Sequence, residues 1–256
     1  MRLCVLKKPI VDLWVQTVPV MKNILSFTLC VMVASAFGQG KELIGAWETK
    51  DQDKTRMITY VPGVFSVAIY NMADKKFIRT YGGKYTVAGD ELTEKIEYDT
   101  QTPANVGTER KVKFKGGKKD LTLTGATEGN FTRVDDGTPG KLAGAWLITG
   151  RMQNNEISRM TPGARRTMKI MSGTRFQWIA YNVDTKEFFG TGGGTYTTVD
   201  GKYTENIEFF SRDASRVGAS LTFDFSLPDG EWRHQGKSSK GDPLDEIWTL
   251  REKIGI

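Results

Sequence analysis

Four carboxylates, one histidine and a crowd of aromatic rings are the residues of this chain best suited to chemistry. Glu94 and Glu97, and again Glu205 and Glu208, stand three residues apart within strand-like runs. Side chains alternate along a strand, so the members of each pair face opposite ways and one of them points inward. By strict alternation Glu205 shares a face with Ile207 and Phe209, and Glu208 shares one with Phe210. An inward carboxylate can hold the polar end of a ligand, act as a general base, or close a structural network with a Tyr or Arg. His234 is the only histidine. It lies on one strand face with Trp232, with Phe223 and Phe225 one hairpin away. No Ser or Asp partner follows from spacing, so no catalytic residue is assigned.

Trp178, Tyr181, Tyr196, Phe223, Phe225 and Trp232, with Glu205, Glu208 and His234, make up the candidate ligand-binding set. Aromatic walls suit a sugar or a small apolar ligand, and equally suit a filled core. A phosphate-loop reading fails. Gly236-Lys237-Ser238 has the tail of that motif, but Glu231 stands where its first glycine belongs. The glycines at Gly82-Gly83 and Gly190–Gly194 fit bulges or barrel corners instead. One His and two Cys leave little for a metal centre, and no metal or cofactor is expected.

These residues sit on a chain that repeats itself. Leu43-Ile44-Gly45-Ala46-Trp47 recurs as Leu142-Ala143-Gly144-Ala145-Trp146, 99 residues on. From Ile69-Tyr70-Asn71, matching Ala180-Tyr181-Asn182, the offset is 111 and stays so through Thr93–Glu97 and Thr204–Glu208. The difference is a 12-residue insertion in the second copy, within Gly150 to Thr167. Glu156 to Arg166 is the one stretch that reads as a possible helix. Elsewhere each copy shows eight to nine short alternating runs separated by turns, as in Lys111–Lys115 and Ser220–Phe225. Many short antiparallel strands with regular turns imply two tandem all-β barrels, over 39–139 and 140–256.

The first 38 residues read as a presequence. Met21-Lys22 followed by the apolar run Ile24–Val33 and small residues Ala34, Ser35, Ala36 and Gly38 has the form of a secretory signal peptide. Cleavage after Gly38 leaves Gln39 first, and residues 1–20 read as an over-extended start. Cys30 lacks the small residues that precede a lipid-modified cysteine. Cys4 and Cys30 both leave with the presequence, so the mature chain has no thiol or disulfide. The presequence carries Arg2, Lys7, Lys8 and Lys22 against Asp12. Its removal takes the balance from 36 − 30 = +6 to 32 − 29 = +3. That weakens any case for nucleic acid, and no membrane span remains in the mature chain.

Gly-x-Trp on the first strand of each copy, an up-and-down run of strands, and a basic residue at the last strand resemble the lipocalin and calycin pattern. Gly45-Ala46-Trp47 with Arg133, and Gly144-Ala145-Trp146 with Arg251, carry the likeness. The whole chain is similar to secreted bacterial lipocalin-like proteins. The resemblance implies that Trp47 and Trp146 each close one barrel end, with Arg133 and Arg251 packed across them. It also implies a periplasmic or extracellular binding protein for a small molecule. The site falls in the second copy, which has Trp178, Trp232 and His234 where the first has Val67, Leu121 and Leu123. The insertion is long enough to lie over a barrel mouth. Two other readings stand beside this one: a filled-barrel structural or protein-interaction module, and a calycin-type enzyme using Glu205 or Glu208 with His234.

Overall fold

The computed structural model describes residues 40–153, 156–238 and 240–256. The segment expected to be a signal peptide, and both cysteines, lie outside the described residues. The first copy is a closed antiparallel barrel of eight strands in sequential order. These are β1 (Gly45–Asp51), β2 (Lys54–Val61), β3 (Val64–Asn71), β4 (Lys76–Ala88), β5 (Glu91–Asp99), β6 (Glu109–Gly116), β7 (Asp120–Gly125) and β8 (Gly129–Asp135). The second copy repeats it with β9 (Gly144–Gln153), β11 (Arg165–Met171), β12 (Arg175–Asn182), β13 (Phe188–Val199), β14 (Lys202–Phe210), β15 (Ser220–Ser226), β16 (Trp232–Lys237) and β17 (Pro243–Leu250), closed by pairing of β17 with β9. Among the described residues no helix is long and apolar enough to cross a membrane.

The insertion is not helical. Glu156–Arg159 forms β10, which pairs with the distal half of β9 and extends its hairpin. Arg159 forks onto Glu231 at 2.8 and 2.9 Å, stitching the hairpin to the turn before β16. Among the described residues of the inserted segment, Thr167 lines the cavity described below. The segment's apolar residues are too few and too scattered to bury a helical face, whereas β9 offers it a ladder of backbone partners.

One end of each barrel is closed in the same way. Trp47 Nε1 donates to Leu43 O at 2.7 Å, and Trp146 Nε1 to Leu142 O at 2.8 Å. Arg133 lies 4.0 Å over the Trp47 ring and donates to Ile44 O and Lys118 O, both at 2.7 Å. Barrel two departs here from the sequence expectation. Leu250, not a basic residue, stands opposite Trp146 in the ladder, and the edge of Trp232 packs on the indole. Arg251 is one residue further on and faces the other way. It is buried against barrel one, bonded to Glu97 and to Ile256 O.

The barrels pack wall to wall through reciprocal contacts. Tyr181 donates to Glu97 at 2.8 Å, and its counterpart Tyr70 donates to Glu208 at 2.6 Å. Tyr98 packs on Tyr181 with its ring tilted by 46°, and Phe209 stacks on Tyr70. Ser66 and Gln177 occupy equivalent positions and bond each other at 2.6 Å, while Gln177 also donates to the equivalent threonines Thr80 and Thr191. Contacts in which i meets j and j meets i are the mark of two-fold packing. Asp135, at the end of β8, locks the junction by accepting from Ser172, Gly173 and Thr174 in the β11–β12 turn.

A bulge in each barrel sorts the carboxylates. The β4–β5 register shifts at Gly82/Gly83 and the β13–β14 register at Gly193/Gly194. A Cβ at Gly83 would strike Lys95 O, and one at Gly194 would strike Asn206 O, so only glycine fits. Past the bulge the strand changes face. Glu205 and Ile207 therefore point into the barrel, but Phe209 turns out to the seam and Phe210 returns inward. Strict alternation had placed Phe209 inside. Glu208, like Glu97, lies in the seam.

Candidate functional site

Barrel two keeps a cavity of about 190 Å³ at the end opposite Trp146. Its deepest polar feature is Lys169 on β11. The alternation there is inverted, because both faces of β11 are buried. Met168 and Ile170 face the seam, whereas Lys169 faces the barrel interior, 5% exposed. Its ammonium sits 2.8 Å from Glu205 Oε1, which also accepts from the Tyr203 hydroxyl at 2.7 Å. The same ammonium lies 4.9 Å from the ring centres of Tyr203 and Trp232 and 5.5 Å from that of Trp248. A carboxylate and aromatic faces together offset the cost of removing a cation from water. Tyr203 is held in its neutral form, its pKa raised by burial and by the charge of Glu205.

His234 on β16 stands beside this pair, 2% exposed and enclosed by Phe223, Trp232 and Tyr203. Burial, reinforced by Lys169, lowers its pKa to about 4, so the imidazole is neutral at physiological pH. Its Nδ1 faces Glu246 Oε2 at 3.5 Å, a long contact, and its Nε2 has no hydrogen-bond partner among the described residues. Glu246 accepts from Trp248 Nε1 at 3.2 Å and has Arg151 at 3.6 Å on the rim. Burial works against its charge, but His234, Lys169 and Arg151 outweigh it and hold the carboxyl below the usual range. Trp178 and Phe210, edge to face at 5.4 Å, form the outer wall. Gly192 makes room for both, since a Cβ there would strike the Trp178 indole and the Phe210 ring.

Of the residues named from sequence, Trp178, Glu205, Phe223 and His234 line this cavity. Trp232 lies beneath it as part of the core. Tyr196 is buried at the closed end, donating to Ser172 O at 2.6 Å, and Phe225 packs on the core edge. Tyr181 and Glu208 are in the seam. Glu208 is held there by Tyr70 and by Arg175 at 2.6 Å, so it cannot act with His234. Sequence reasoning missed Lys169 and Glu246, and left Trp248 and Phe210 out of the site. The carboxylate nearest His234 is Glu246, its direct ladder partner on β17.

Barrel one is the internal control. At the positions of Lys169, Tyr203, Phe223, Trp232 and His234 it has Ile58, Leu92, Val112, Leu121 and Leu123, all buried. Glu94, the counterpart of Glu205, is kept but is held from the mouth, by Arg110 Nε at 2.8 Å. Arg110 lies 4.6 Å over Tyr81 and donates to Thr127. Barrel two has Leu221 in place of Arg110 and Gly192 in place of Tyr81. Tyr81 and Arg110 stack where barrel two, with Gly192 and Leu221, makes room for Trp178 and Phe210. No family model matches the chain, and no curated protein matches it in sequence. Among the described residues no group of three or more His, Cys, Asp or Glu is placed to hold a metal ion.

Proposed function

We propose that the chain is an exported, lipocalin-like binding protein whose second barrel takes one small ligand, while its first barrel serves as a filled scaffold. The observation that carries this reading is His234. It is a neutral imidazole whose Nε2 has no hydrogen-bond partner among the described residues and whose Nδ1 has only the long 3.5 Å contact to Glu246, beside an aromatic-walled cavity, where the sister barrel has Leu123. A buried polar group without a partner costs about 1–3 kcal/mol. A ligand that donates to or accepts from His234 recovers that cost. The size of the cavity restricts the ligand. An apolar cavity of about 150 Å³ accepts a benzene, so about 190 Å³ suits one ring with a few polar substituents. Both an apolar ring and a single sugar unit meet that limit.

The test is titration of the full mature chain with indole and, separately, with methyl glucoside. The indole N–H signals of Trp178 and Trp248 are followed by NMR. Saturable shifts with either probe, lost in His234→Leu, support the reading. No shift with either, or equal shifts in the variant, refutes it for these two ligand classes. For barrel one the filled-module reading is favoured by the Tyr81–Arg110–Glu94 plug. Export rests on the signal-like segment from Met21 to Gly38.

A further inference from the structure

A second region of the molecule concentrates positive charge that the fold does not neutralise. Lys84 on β4 and Lys95 on β5 are direct partners across the ladder, so their side chains leave the same face side by side. Like charges directly opposite one another destabilise a sheet. Both lysines are exposed, and neither makes an ion pair or side-chain hydrogen bond to the described residues. They line a cleft of about 250 Å³ at the barrel–barrel seam with Glu97, Val106, Gly107, Arg166 and Val183.

The carboxylates nearby do not serve them. Glu97 is saturated: Arg251 and Arg166 hold Oε1 and Tyr181 holds Oε2. The terminal Ile256 oxygen is taken by Arg251. Glu109 is the ladder neighbour of Lys95 on β6, yet it forms no salt bridge with it. Burial and the positive charges of Arg251, Arg166 and Lys95 push the Lys84 ammonium below its usual pKa, only partly opposed by Glu97.

The two-fold repeat shows that the seam does not require this charge. At the equivalent cleft on the other side Lys84 is replaced by Thr195, Lys95 by Asn206 and Arg166 by Thr55. There Asn206 simply bonds Thr195 at 3.3 Å. On that side Glu208 is paired with Arg175, whereas the counterpart cleft gathers Lys84, Lys95, Arg166 and Arg251 around one saturated carboxylate. We propose that the Lys84–Lys95–Arg166 cleft is a binding site for a compact multivalent oxyanion of the phosphate or pyrophosphate class, separate from the barrel-two cavity. Such an anion would bridge the two ammonium groups and reach the side of the Arg166 guanidinium not taken by Gly163 O and Glu97, relieving the cross-strand repulsion. A cationic cleft of this kind has its counter-charge supplied from solution.

The test uses the full mature chain and pyrophosphate, followed by calorimetric titration and by melting temperature, with sodium chloride at matched ionic strength as reference. The decisive variant is Lys84→Thr/Lys95→Asn, which copies the equivalent cleft. Lys113→Thr/Lys115→Asn removes two exposed lysines elsewhere on barrel one. The expected result is saturable pyrophosphate binding by wild type, weakened about tenfold or more in the cleft variant and unchanged in the control and in His234→Leu. In the absence of anion the cleft variant melts at or above the wild-type temperature, because a repulsive pair has gone. Equal binding by the cleft variant, or a response that sodium chloride reproduces, overturns the proposal.

Discussion

Replacing His234 by leucine removes the acid-sensitive part of barrel two's stability, and the size of the effect follows from its environment. The unfolded imidazole titrates near 6.5, whereas burial and Lys169 lower the folded value to about 4. A base whose pKa is lowered by folding contributes its full stability above the unfolded value. That contribution is lost as pH falls from 6.5 toward 4, because the unfolded state binds the proton first. At pH 5 the unfolded histidine is almost fully protonated and the folded one only about a tenth so, which lowers stability by about 2 kcal/mol relative to pH 7.5. The group is 2% exposed, so solvent screening does not dilute the effect.

The assay is urea unfolding of wild type and His234→Leu at pH 7.5, 6 and 5. Glu97, Asp99 and Asp135 have carboxyls held below their usual range, and they and Glu94, whose carboxyl burial raises, are common to both proteins and cancel in the difference. The expected result is that wild type loses about 2 kcal/mol more than the variant between pH 7.5 and 5. Because His234 is the only histidine, its ring C–H signal can be titrated directly in the intact protein. Parallel losses in the two proteins, together with a ring signal that titrates near 6.5, would refute the buried, neutral imidazole. The argument for the barrel-two site would fall with it.

Lys169→Met alone strands the buried Glu205 carboxylate and should cost about 3–5 kcal/mol. Adding Glu205→Gln should restore much of that loss in chemical denaturation, and a double variant no better than the single one would contradict the pairing. Trp47→Ala, which removes a fully buried indole along with its bond to Leu43 and its cation contact with Arg133, should cost about 3–5 kcal/mol by the same measurement. Gly194→Ala places a methyl group against Asn206 O and should lower the melting temperature by far more than Gly201→Ala. At Gly201 the added methyl meets open space and only the left-handed backbone opposes it.

The architecture was legible because its signals are local. Turns, two-residue alternation and the 99- and 111-residue offsets are properties of neighbouring or directly repeated residues. Glu205 and His234 were legible for the same reason: a charge and a lone imidazole stand out on strands that are otherwise apolar on that face. What escaped depends on the second barrel wall. β11 buries Met168 and Ile170 against barrel one, so its hydrophobic face is the outer one and Lys169 reads as a solvent-facing residue. Glu246 was hidden by distance along the chain, since only the β16–β17 register brings it to His234. Tyr181 and Glu208 look like interior residues until the seam is known, because burial between barrels has the same composition as burial inside one. Arg251 misled by one position, and one position on a strand reverses the face.

The copies agree at the Tyr–carboxylate pairs of the seam: Tyr70 and Tyr181, Glu97 and Glu208. Each of these bonds across to the other barrel, so a change in one copy is felt by both. The seam still diverges at Ser66 and Gln177 and at Lys84 and Thr195, and the interiors diverge as well. Barrel one has Ile58, Leu92, Leu121 and Leu123, an apolar core closed by Tyr81 and Arg110. Barrel two has Lys169, Tyr203, Trp232 and His234 at the same four positions, with Gly192 and Leu221 at the mouth. Exchanging an isoleucine and three leucines for a lysine, a tyrosine, a tryptophan and a histidine adds buried polar groups that each demand a partner. Lys169 and Tyr203 find theirs in Glu205, but Trp232 Nε1 and His234 Nε2 find none among the described residues. A substitution made only to fill space would have kept the leucine. The unpaired imidazole nitrogen and the open mouth arise in the same copy, and that coincidence is the strongest structural reason to look for the ligand there.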